Sequence, residues 1–323
     1  MRVLVTGGGG FLGKALVYKL LSEGHEVRAT GRRKQSELES MGVEVWQADL
    51  ADEEKMVDAC RDRDAVFHVA AKAGIWGCAQ AYESPNVLGT RHILKGCRVH
   101  GVSQLVYTST PSVVFSRDSI RSGDESLPYA TNWLCHYPRT KAIAEQEVLA
   151  AHQPDHLYTT ALRPHLIWGP GDPHLLPRII KKARAGRLAQ VGDGDNRVDI
   201  THVDNAAEAH ILAWRALQRG QGGGRAFFVS DGTPVVLWDW INRVLEHHGV
   251  PPLQKQLSIG KAYAIGSVCE FVWKLFCLSG EPPMTRFVAL QLGKDHTFDI
   301  SAARSTFDYC PKEYPLPDTT LAP

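Results

Sequence analysis

The sequence predicts an α/β fold, a doubly wound parallel sheet with helices on both faces. Short aliphatic strand patterns alternate with helix patterns through the first half of the chain, which is typical of successive βαβ units. The strand patterns are apolar nearly throughout, as expected for strands buried on both faces. A glycine-rich turn joins the first strand to the first helix at residues 7–13, where sheets of this Rossmann type bind phosphate groups.

Each predicted element rests on its own pattern. Runs of aliphatic, β-branched or aromatic residues predict strands at 2–5, 26–30, 43–46, 65–70, 104–108, 157–163 and 226–229. Helical periodicity predicts helices at 12–21, 52–60, 86–100, 138–151, 206–218 and 238–247. Because ligands bind beyond the carboxyl ends of parallel strands, one cleft is expected to be surrounded by Thr6, Asp49, Ala70, Thr110 and Pro164.

Composition narrows the class of protein. The formal net charge is +1, so nothing in the overall charge indicates nucleic acid as a partner. The seven cysteines are an odd number and form no Cys-x-x-Cys motif. This pattern favours free thiols over a disulfide framework or a metal site. A core strand that starts at residue 2 leaves no room for a signal peptide before it, so we expect a cytoplasmic enzyme.

Three glycines in the first turn have the spacing of a dinucleotide-binding loop. Gly7 permits the tight turn, Gly10 lets the backbone approach a pyrophosphate, and Gly13 lets the helix pack closely on the strand. We expect the pyrophosphate at the start of the helix, at Phe11 and Leu12, where free N–H groups and the helix dipole favour an anion.

The second strand predicts which dinucleotide binds. No acidic residue stands at its end to bind a ribose 2′-hydroxyl, and Arg32 and Arg33 follow directly. An arginine near this place accommodates a 2′-phosphate, which a guanidinium can bind through two hydrogen bonds. The sequence therefore predicts NADP(H), with Arg32 as the first candidate and Arg33 as the second. A solvated basic turn is the alternative.

Ordered motifs extend along nearly the whole chain. They are Thr6-Gly7-x-x-Gly10-x-x-Gly13, Asp49-Leu50, His68-x-Ala70-Ala71, Asn86-Val87-x-Gly89-Thr90, Tyr107-Thr108-Ser109-Thr110, Tyr137-x-x-x-Lys141 and Leu162-Arg163-Pro164-x-x-Ile167. In this order they resemble the extended short-chain dehydrogenases/reductases, and within them the 3β-hydroxysteroid dehydrogenase branch. Three segments, at 70–77, 107–113 and 280–287, are similar to the NADPH-dependent reductases that act on 2-alkyl-3-oxoalkanoic acids in bacterial olefin biosynthesis.

The resemblance implies further cofactor contacts and a domain division. The implied contacts are Asp49, Leu50, Ala70, Ala71, Lys72, Pro164 and Ile167, together with Tyr137 and Lys141. Residues 1–168 are expected to form an NADP-binding Rossmann domain. Residues 169–323 are expected to form mostly a smaller substrate-binding lobe, which is interleaved with the sheet because 199–232 return to it.

Tyr137 and Lys141 have the chemistry needed to reduce a ketone. The cofactor supplies a hydride to the carbonyl carbon, and a protein acid must protonate the oxygen. Lys141 lies one helical turn after Tyr137. Its ammonium, together with the positive nicotinamide of the oxidised cofactor, is expected to lower the pKa of the phenol from its usual ~10. By alignment with the family pattern, Thr110 binds the substrate oxygen, with Ser109 as the competing candidate. Asn86 matches a family position whose role is often structural and stays outside the predicted catalytic set.

Apolar side chains near the predicted cleft favour a bulky apolar ketone or alcohol as substrate. The predicted substrate contacts are Trp76, Trp133, His165 and Trp168, with Leu175 and Leu176 nearby. The most hydrophobic stretch, 262–278, includes charged residues and is too short for a membrane span. Packing on the small lobe, a place at the substrate mouth, partner docking and peripheral membrane contact stay open for it. A homodimer and assembly with other enzymes of the same pathway also stay open.

Three functions are weighed. The leading interpretation is an NADPH-dependent reductase that converts the 3-keto group of a long-chain 2-alkyl-3-oxoalkanoic acid to the 3-hydroxy acid. The second is an NAD(P)-dependent 3β-hydroxysteroid or sterol dehydrogenase. The third is a catalytically inactive protein that binds the cofactor as a sensor, against which the intact Thr110, Tyr137 and Lys141 argue.

Overall fold

The computed structural model describes residues 1–316. Its strands are, in chain order, β1 (Arg2–Thr6), β2 (Glu26–Gly31), β3 (Glu44–Gln47), β4 (Ala65–His68), β5 (Gln104–Thr108), β6 (Ile120–Gly123), β7 (Tyr158–Pro164), β8 (Ile167–Trp168), β9 (Gln190–Val191), β10 (Arg197–Val198), β11 (Thr201–His202), β12 (Arg225–Val229), β13 (Val235–Val236), β14 (Gln256–Leu257) and β15 (His296–Phe298). Its α-helices are α1 (Phe11–Ser22), α2 (Ser36–Ser40), α3 (Glu53–Ala59), α4 (Ala79–Glu83), α5 (Gly89–His100), α6 (His136–Ala150), α7 (Leu175–Arg184), α8 (Val203–Gln218), α9 (Leu237–His247), α10 (Ile259–Leu275), α11 (Arg286–Gly293) and α12 (Ser301–Phe307).

Seven strands form one parallel sheet in the order β12-β7-β5-β4-β1-β2-β3. The predicted doubly wound fold is confirmed. The chain adds strands outward from β1 to β3 and then crosses to β4 on the other side of β1. Ligands of such sheets bind at this switch point, beyond the carboxyl ends of β1 and β4.

The two faces of the sheet are covered by different helices. Along β1, Val3 and Val5 pack into one core layer and Leu4 into the other, because side chains alternate across a strand. Helices α1, α8 and α12 pack on the first face, and α3, α5 and α6 pack on the second. This packing holds the carboxyl ends of the strands in a fixed arrangement.

The small lobe has its own apolar core, in which Trp168, Trp238 and Ile241 are buried. Of the segment 199–232, β12 lies at the edge of the main sheet, whereas β11 pairs with β8 in a separate two-stranded ladder. The expected return of residues 199–205 to the main sheet is therefore wrong. Helix α8 already begins at Val203, which leaves too little extended chain to reach it. Residues 317–323 of the expected lobe lie outside the described residues.

The helix predicted at 86–100 begins differently from the prediction. Helix α4 leads into a π-helical turn at Ser84–Leu88, and α5 follows without a break. Pro85 lies at the start of this turn, where it supplies no N–H for regular helical bonding. The wider turn holds Asn86 in a buried position. Such π turns are frequent at functional sites.

Helix α10 has one buried and one exposed face. Its buried face packs on α11, and a Cβ added to Gly266 would lie 2.6 Å from the carbonyl carbon of Thr285. The opposite face leaves large apolar side chains exposed, namely Ile265, Val268, Phe271 and Leu275. Within residues 1–316, no helix is long and apolar enough to span a membrane. Packing within the small lobe therefore accounts for only the buried face of the apolar stretch at 262–278.

Candidate active site

The glycine loop between β1 and α1 has the tight geometry that its spacing predicts. Gly7 adopts a φ of 69°, and its N–H donates to the carbonyl of Thr30 at 2.8 Å. A Cβ on Gly13 would lie 2.1 Å from the carbonyl oxygen of Gly7, so only glycine fits there. Gly10 directly precedes α1, and Phe11 and Leu12 form its first turn, which has no acidic side chain. The loop and helix start therefore fit a pyrophosphate.

Thr6 and His68 join the carboxyl ends of β1 and β4. The Thr6 hydroxyl accepts from the N–H groups of Val69 and Ala70 at 3.1 Å and lies 2.8 Å from His68 Nδ1. The other ring nitrogen of His68 lies 3.0 Å from the Thr90 hydroxyl. Burial, with a smaller effect from nearby Lys141, lowers the pKa of His68 to about 3. His68 is therefore neutral, and its contacts with Thr6 and Thr90 hold β1, β4 and α5 together at the base of the cleft.

Asn86 fixes the chain that follows β4. Its Oδ1 accepts from the Lys72 N–H at 2.7 Å, and its Nδ2 donates to the Lys72 carbonyl at 3.1 Å. Nδ2 also donates to the Thr140 hydroxyl on α6 at 3.0 Å. The amide therefore ties the segment that includes Ala71 to the helix that carries Tyr137. These hydrogen bonds indicate a structural role for Asn86.

The end of β2 carries positive charge and no carboxylate. Arg32 and Arg33 are exposed and form no ion pair within residues 1–316. The Gln35 side chain lies between Gly9 and Gly31, where an added Cβ would approach it to 2.7 Å and 2.1 Å. The buried Gln35 Oε1 has no hydrogen-bond partner in the described chain. The Gln35 oxygen can accept a hydrogen bond from a ribose hydroxyl, and the two unpaired guanidiniums can bind a phosphate. No sequence pattern had indicated Gln35.

Asp49 and Leu50 follow the end of β3, the strand beside β2 at the edge of the sheet. Asp49 is exposed, and its Oδ1 accepts from the Ala51 N–H at 2.9 Å. Leu50 packs so closely on α5 that a Cβ on Gly89 would lie 2.7 Å from the Leu50 Cβ. Both residues lie at the carboxyl edge of the sheet, as expected.

Thr110, Tyr137 and Lys141 come together at the end of β5. Tyr137 lies in the first turn of α6, and its phenol interacts with the Thr110 side chain, which lowers the pKa of the phenol. The Thr110 hydroxyl also accepts from the Ser112 N–H at 3.3 Å. Lys141 Nζ donates to the Thr108 carbonyl at 2.5 Å and lies 4.0 Å from the centre of the Tyr107 ring. The buried Ser109 hydroxyl has no partner among residues 1–316. The interaction with Tyr137 therefore favours Thr110 over Ser109.

The protonation of this group differs from the expectation that Lys141 lowers the pKa of Tyr137. Burial raises the pKa of Tyr137 to about 12, and the hydrogen bond with Thr110 opposes this effect. Burial also lowers the pKa of Lys141 to about 7, opposed by Glu145. The physical reason is that the Lys141 ammonium is bonded to a backbone carbonyl, so the phenol lies in an apolar setting without a dominant cation.

A buried ion pair lies one turn beyond Lys141. The Glu145 carboxylate accepts from Arg163 Nη2 at 2.6 Å and from the Tyr129 hydroxyl at 2.6 Å. Neither Glu145 nor Arg163 is more than 3% exposed. The i,i+4 spacing of Lys141 and Glu145 was visible in the sequence, but the partner on β7 was not. This group connects α6 to the strand that ends at Pro164.

Two predicted substrate residues lie away from any open surface. Trp168, on β8, packs edge-on against Trp240 and donates from Nε1 to Asp231 at 3.1 Å. His165 is also buried, with Nδ1 2.6 Å from the Asp199 carbonyl. Both belong to the packing between the sheet and the small lobe, so the expectation that they contact substrate is corrected.

Trp76 and Trp133 are half-buried, and Ile167 is partly accessible at the start of β8. The Trp76 ring faces Lys274 Nζ, which lies 5.9 Å from the ring centre. Trp133 lines a cavity of about 460 Å³ beside the start of α6. Within residues 1–316, no group of three or more His, Cys, Asp or Glu side chains is arranged to hold a metal ion.

Comparison with known proteins agrees with this geometry. Residues 4–259 match the model of the 3-beta hydroxysteroid dehydrogenase/isomerase family. The chain is 48% identical over 315 residues to a 2-alkyl-3-oxoalkanoate reductase of Stenotrophomonas maltophilia, an alignment that covers 97% of this chain and 95% of the relative. It is 36% identical over 247 residues to the decarboxylating sterol-4-alpha-carboxylate 3-dehydrogenase of Bos taurus, covering 76% of this chain and 69% of the relative.

Among solved structures, MoeE5 in complex with UDP-glucose and NAD superposes with a TM-score of 0.73 at 26% identity, covering 97% of this chain and 94% of that one. The family model covers most of the chain, and the reductase relative matches nearly all of it. The chain therefore belongs to the 3-beta hydroxysteroid dehydrogenase/isomerase family and is an oxidoreductase of the extended short-chain dehydrogenase/reductase type.

Proposed function

We propose that this protein is an NADPH-dependent reductase that converts the 3-keto group of long-chain 2-alkyl-3-oxoalkanoic acids to the 3-hydroxy group. The observation that carries the proposal is the meeting of Thr110, Tyr137 and Lys141 at the end of β5, two strands from β1 and its glycine loop. The substrate class is supported by the near full-length similarity to a reductase of that name.

The chain's own residues handle the substrate oxygen and its proton. When bound, the dinucleotide supplies the hydride that reduces the carbonyl carbon. The raised pKa of Tyr137, about 12, keeps its hydroxyl protonated at neutral pH, the form that a proton donor in ketone reduction needs. The Thr110 hydroxyl orients the substrate oxygen toward this proton. Lys141, whose Nζ donates to the Thr108 carbonyl, ties α6 to the end of β5 and so positions Tyr137 beside Thr110.

Preference for NADPH is part of the proposal and rests on Arg32. The change Arg32→Asp should raise the KM for NADPH about 10- to 100-fold, the loss expected for a hydrogen bond between charged groups. The KM for NADH should stay nearly constant, since NADH carries no 2′-phosphate. Steady-state kinetics with both cofactors measure this. Arg33→Asp should have a smaller effect, and Arg98→Asp, an exposed change on α5, should have none. Equal effects of Arg32→Asp on both cofactors would contradict the assignment.

A substrate panel tests the reaction itself. Loss of NADPH absorbance is followed with long-chain 2-alkyl-3-oxoalkanoic acids and with 3-oxosteroids at matched concentrations. We expect turnover of the keto acids and little or none of the steroids. Turnover of steroids alone would establish the sterol dehydrogenase alternative, which the cattle relative supports. Tight NADPH binding without turnover of any ketone would indicate a cofactor-sensing protein instead.

A cytoplasmic location is also part of the proposal. All seven cysteines are free thiols, and free thiols in this number are typical of a reducing compartment.

A further inference from the structure

A fully buried histidine, His210, lies on α8 and has no part in the chemistry described above. Helix α8 packs on β5 and β7. Its other buried residues near His210 are apolar and mostly small, namely Ala206, Ala207, Ala209, Ile211 and Ala213. An imidazole in such surroundings loses its contacts with water, which costs free energy unless its ring nitrogens find partners. The partners of His210 therefore indicate what it does.

Both ring nitrogens of His210 have partners, and these fix the position of the ring proton. Nδ1 lies 2.7 Å from the Ala206 carbonyl, one turn earlier in α8, and Nε2 lies 2.7 Å from the Thr108 hydroxyl. Burial lowers the pKa of His210 to about 4, opposed by the bond with Ala206, so the ring is neutral near pH 7. Because a carbonyl only accepts, Nδ1 holds the proton, and Nε2 accepts from the Thr108 hydroxyl.

Thr108 is the last residue of β5 and is held from both faces of the sheet. Its side chain bonds to His210 on α8, whereas its carbonyl accepts from Lys141 Nζ on α6. Both partners are buried. The chain leaves β5 directly after Thr108, and Thr110 follows two residues later. The position of Thr108 therefore affects the places of Lys141 and Thr110 together.

We propose that His210 is a positioning residue for ketone reduction, which fixes Thr108 and through it holds Lys141 and Thr110 in place beside Tyr137. The inference rests on the proposed function for the reaction that it assists. His210 acts across the sheet, from the face opposite α6. Without the imidazole, the Thr108 side chain is no longer held from the α8 face. Rates respond to such changes, since a displacement of about 1 Å can cost roughly 10²-fold.

Two variants break the bond from opposite ends. Thr108→Val removes the hydroxyl and keeps the shape of the side chain, and His210→Leu removes the acceptor. Each should lower kcat for the keto acid about tenfold through displaced reacting groups. The KM for NADPH should stay nearly constant, because the glycine loop follows β1, two strands from β5. Thr108→Ser keeps the hydroxyl and should recover most of the kcat that Thr108→Val loses. Fluorescence titration with NADPH counts the binding sites, and kcat is expressed per site.

The double variant Thr108→Val with His210→Leu separates positioning from stability. Each single variant leaves one buried polar group without its partner and should lower the free energy of unfolding, whereas the double variant leaves neither and should recover much of it. Its kcat should stay as low as in the single variants, because the same bond is absent in all three. A kcat that recovers together with stability would overturn the positioning role. Losses that multiply in the double variant would overturn it as well.

Thr160→Val is the matched control. Thr160 is another buried threonine of the sheet, and its hydroxyl donates to the Arg225 carbonyl at 3.0 Å near the start of β7. The change should lower stability as Thr108→Val does and leave kcat unaltered.

The same measurements distinguish the inference from the proposed function. An unchanged kcat in Thr108→Val and His210→Leu would overturn the positioning role while the proposed function stands. If wild-type enzyme reduced only another class of ketone, the proposed substrate would be wrong, and the positioning role would be measured with that ketone. If it reduced no ketone, both would fail.

Discussion

The change Tyr137→Phe should lower kcat by about 10²–10⁴-fold, the usual contribution of a general acid, while NADPH affinity stays nearly constant. The substitution removes one hydroxyl, which interacts with the Thr110 side chain, and keeps the ring at the start of α6. Steady-state kinetics give kcat, and fluorescence titration gives the affinity for NADPH.

A second tyrosine provides the control. Tyr158 lies at the opposite, amino-terminal end of β7, so Tyr158→Phe removes a hydroxyl that is far from the cleft and should leave kcat near the wild-type value. Two further variants separate the neighbouring hydroxyls. Thr110→Val should lose most of the activity, whereas Ser109→Ala should keep it. Substantial turnover by Tyr137→Phe would refute the assigned proton donor.

The elements that could be predicted from sequence are those whose signal is local. The glycine spacing at 7–13 identifies a turn because only glycine tolerates the contact between Gly13 and Gly7. The doubly wound parallel sheet follows because alternating strands and helices allow few parallel topologies. The pairing of Tyr137 with Lys141 follows from one helical turn. Each of these inferences depends on the spacing or alternation of residues along the chain and not on contacts between distant segments.

Residues that act through long-range contacts were missed or misassigned. Trp168 follows a sheet strand, as a substrate contact would, yet β8 turns its side chain into the small lobe. Gln35 carries no local signal, since its position between Gly9 and Gly31 depends on how the loop after β2 folds over the glycine turn. The raised pKa of Tyr137 was also not predictable, because burial dominates it and burial depends on the packed structure.

The change Arg163→Met should lower the free energy of unfolding by about 3–5 kcal/mol, the cost of leaving a buried charge without its partner. Glu145 is fully buried and would keep only the Tyr129 hydroxyl as a side-chain partner. Chemical denaturation followed by circular dichroism measures the change. The double variant Glu145→Leu with Arg163→Met should recover much of the loss, because it removes the stranded charge. The surface variant Arg215→Met, which breaks an ion pair with Glu23, should cost less than about 1 kcal/mol.

The pH dependence separates a stranded charge from a simple packing defect. In Arg163→Met, burial disfavours the ionised Glu145, so the folded protein should bind a proton more readily than the unfolded chain does. The free energy of unfolding then falls as the pH rises through the range in which Glu145 is protonated in the folded protein but ionised in the unfolded chain. The deficit relative to wild type should therefore be smaller at about pH 5 than at about pH 8. A deficit that is independent of pH would mean that lost packing of the arginine stem on Phe228, 5.0 Å from the guanidinium, accounts for the effect. Because Glu145 also raises the pKa of Lys141, the double variant should fold well yet need a lower pH than wild type to protonate that lysine.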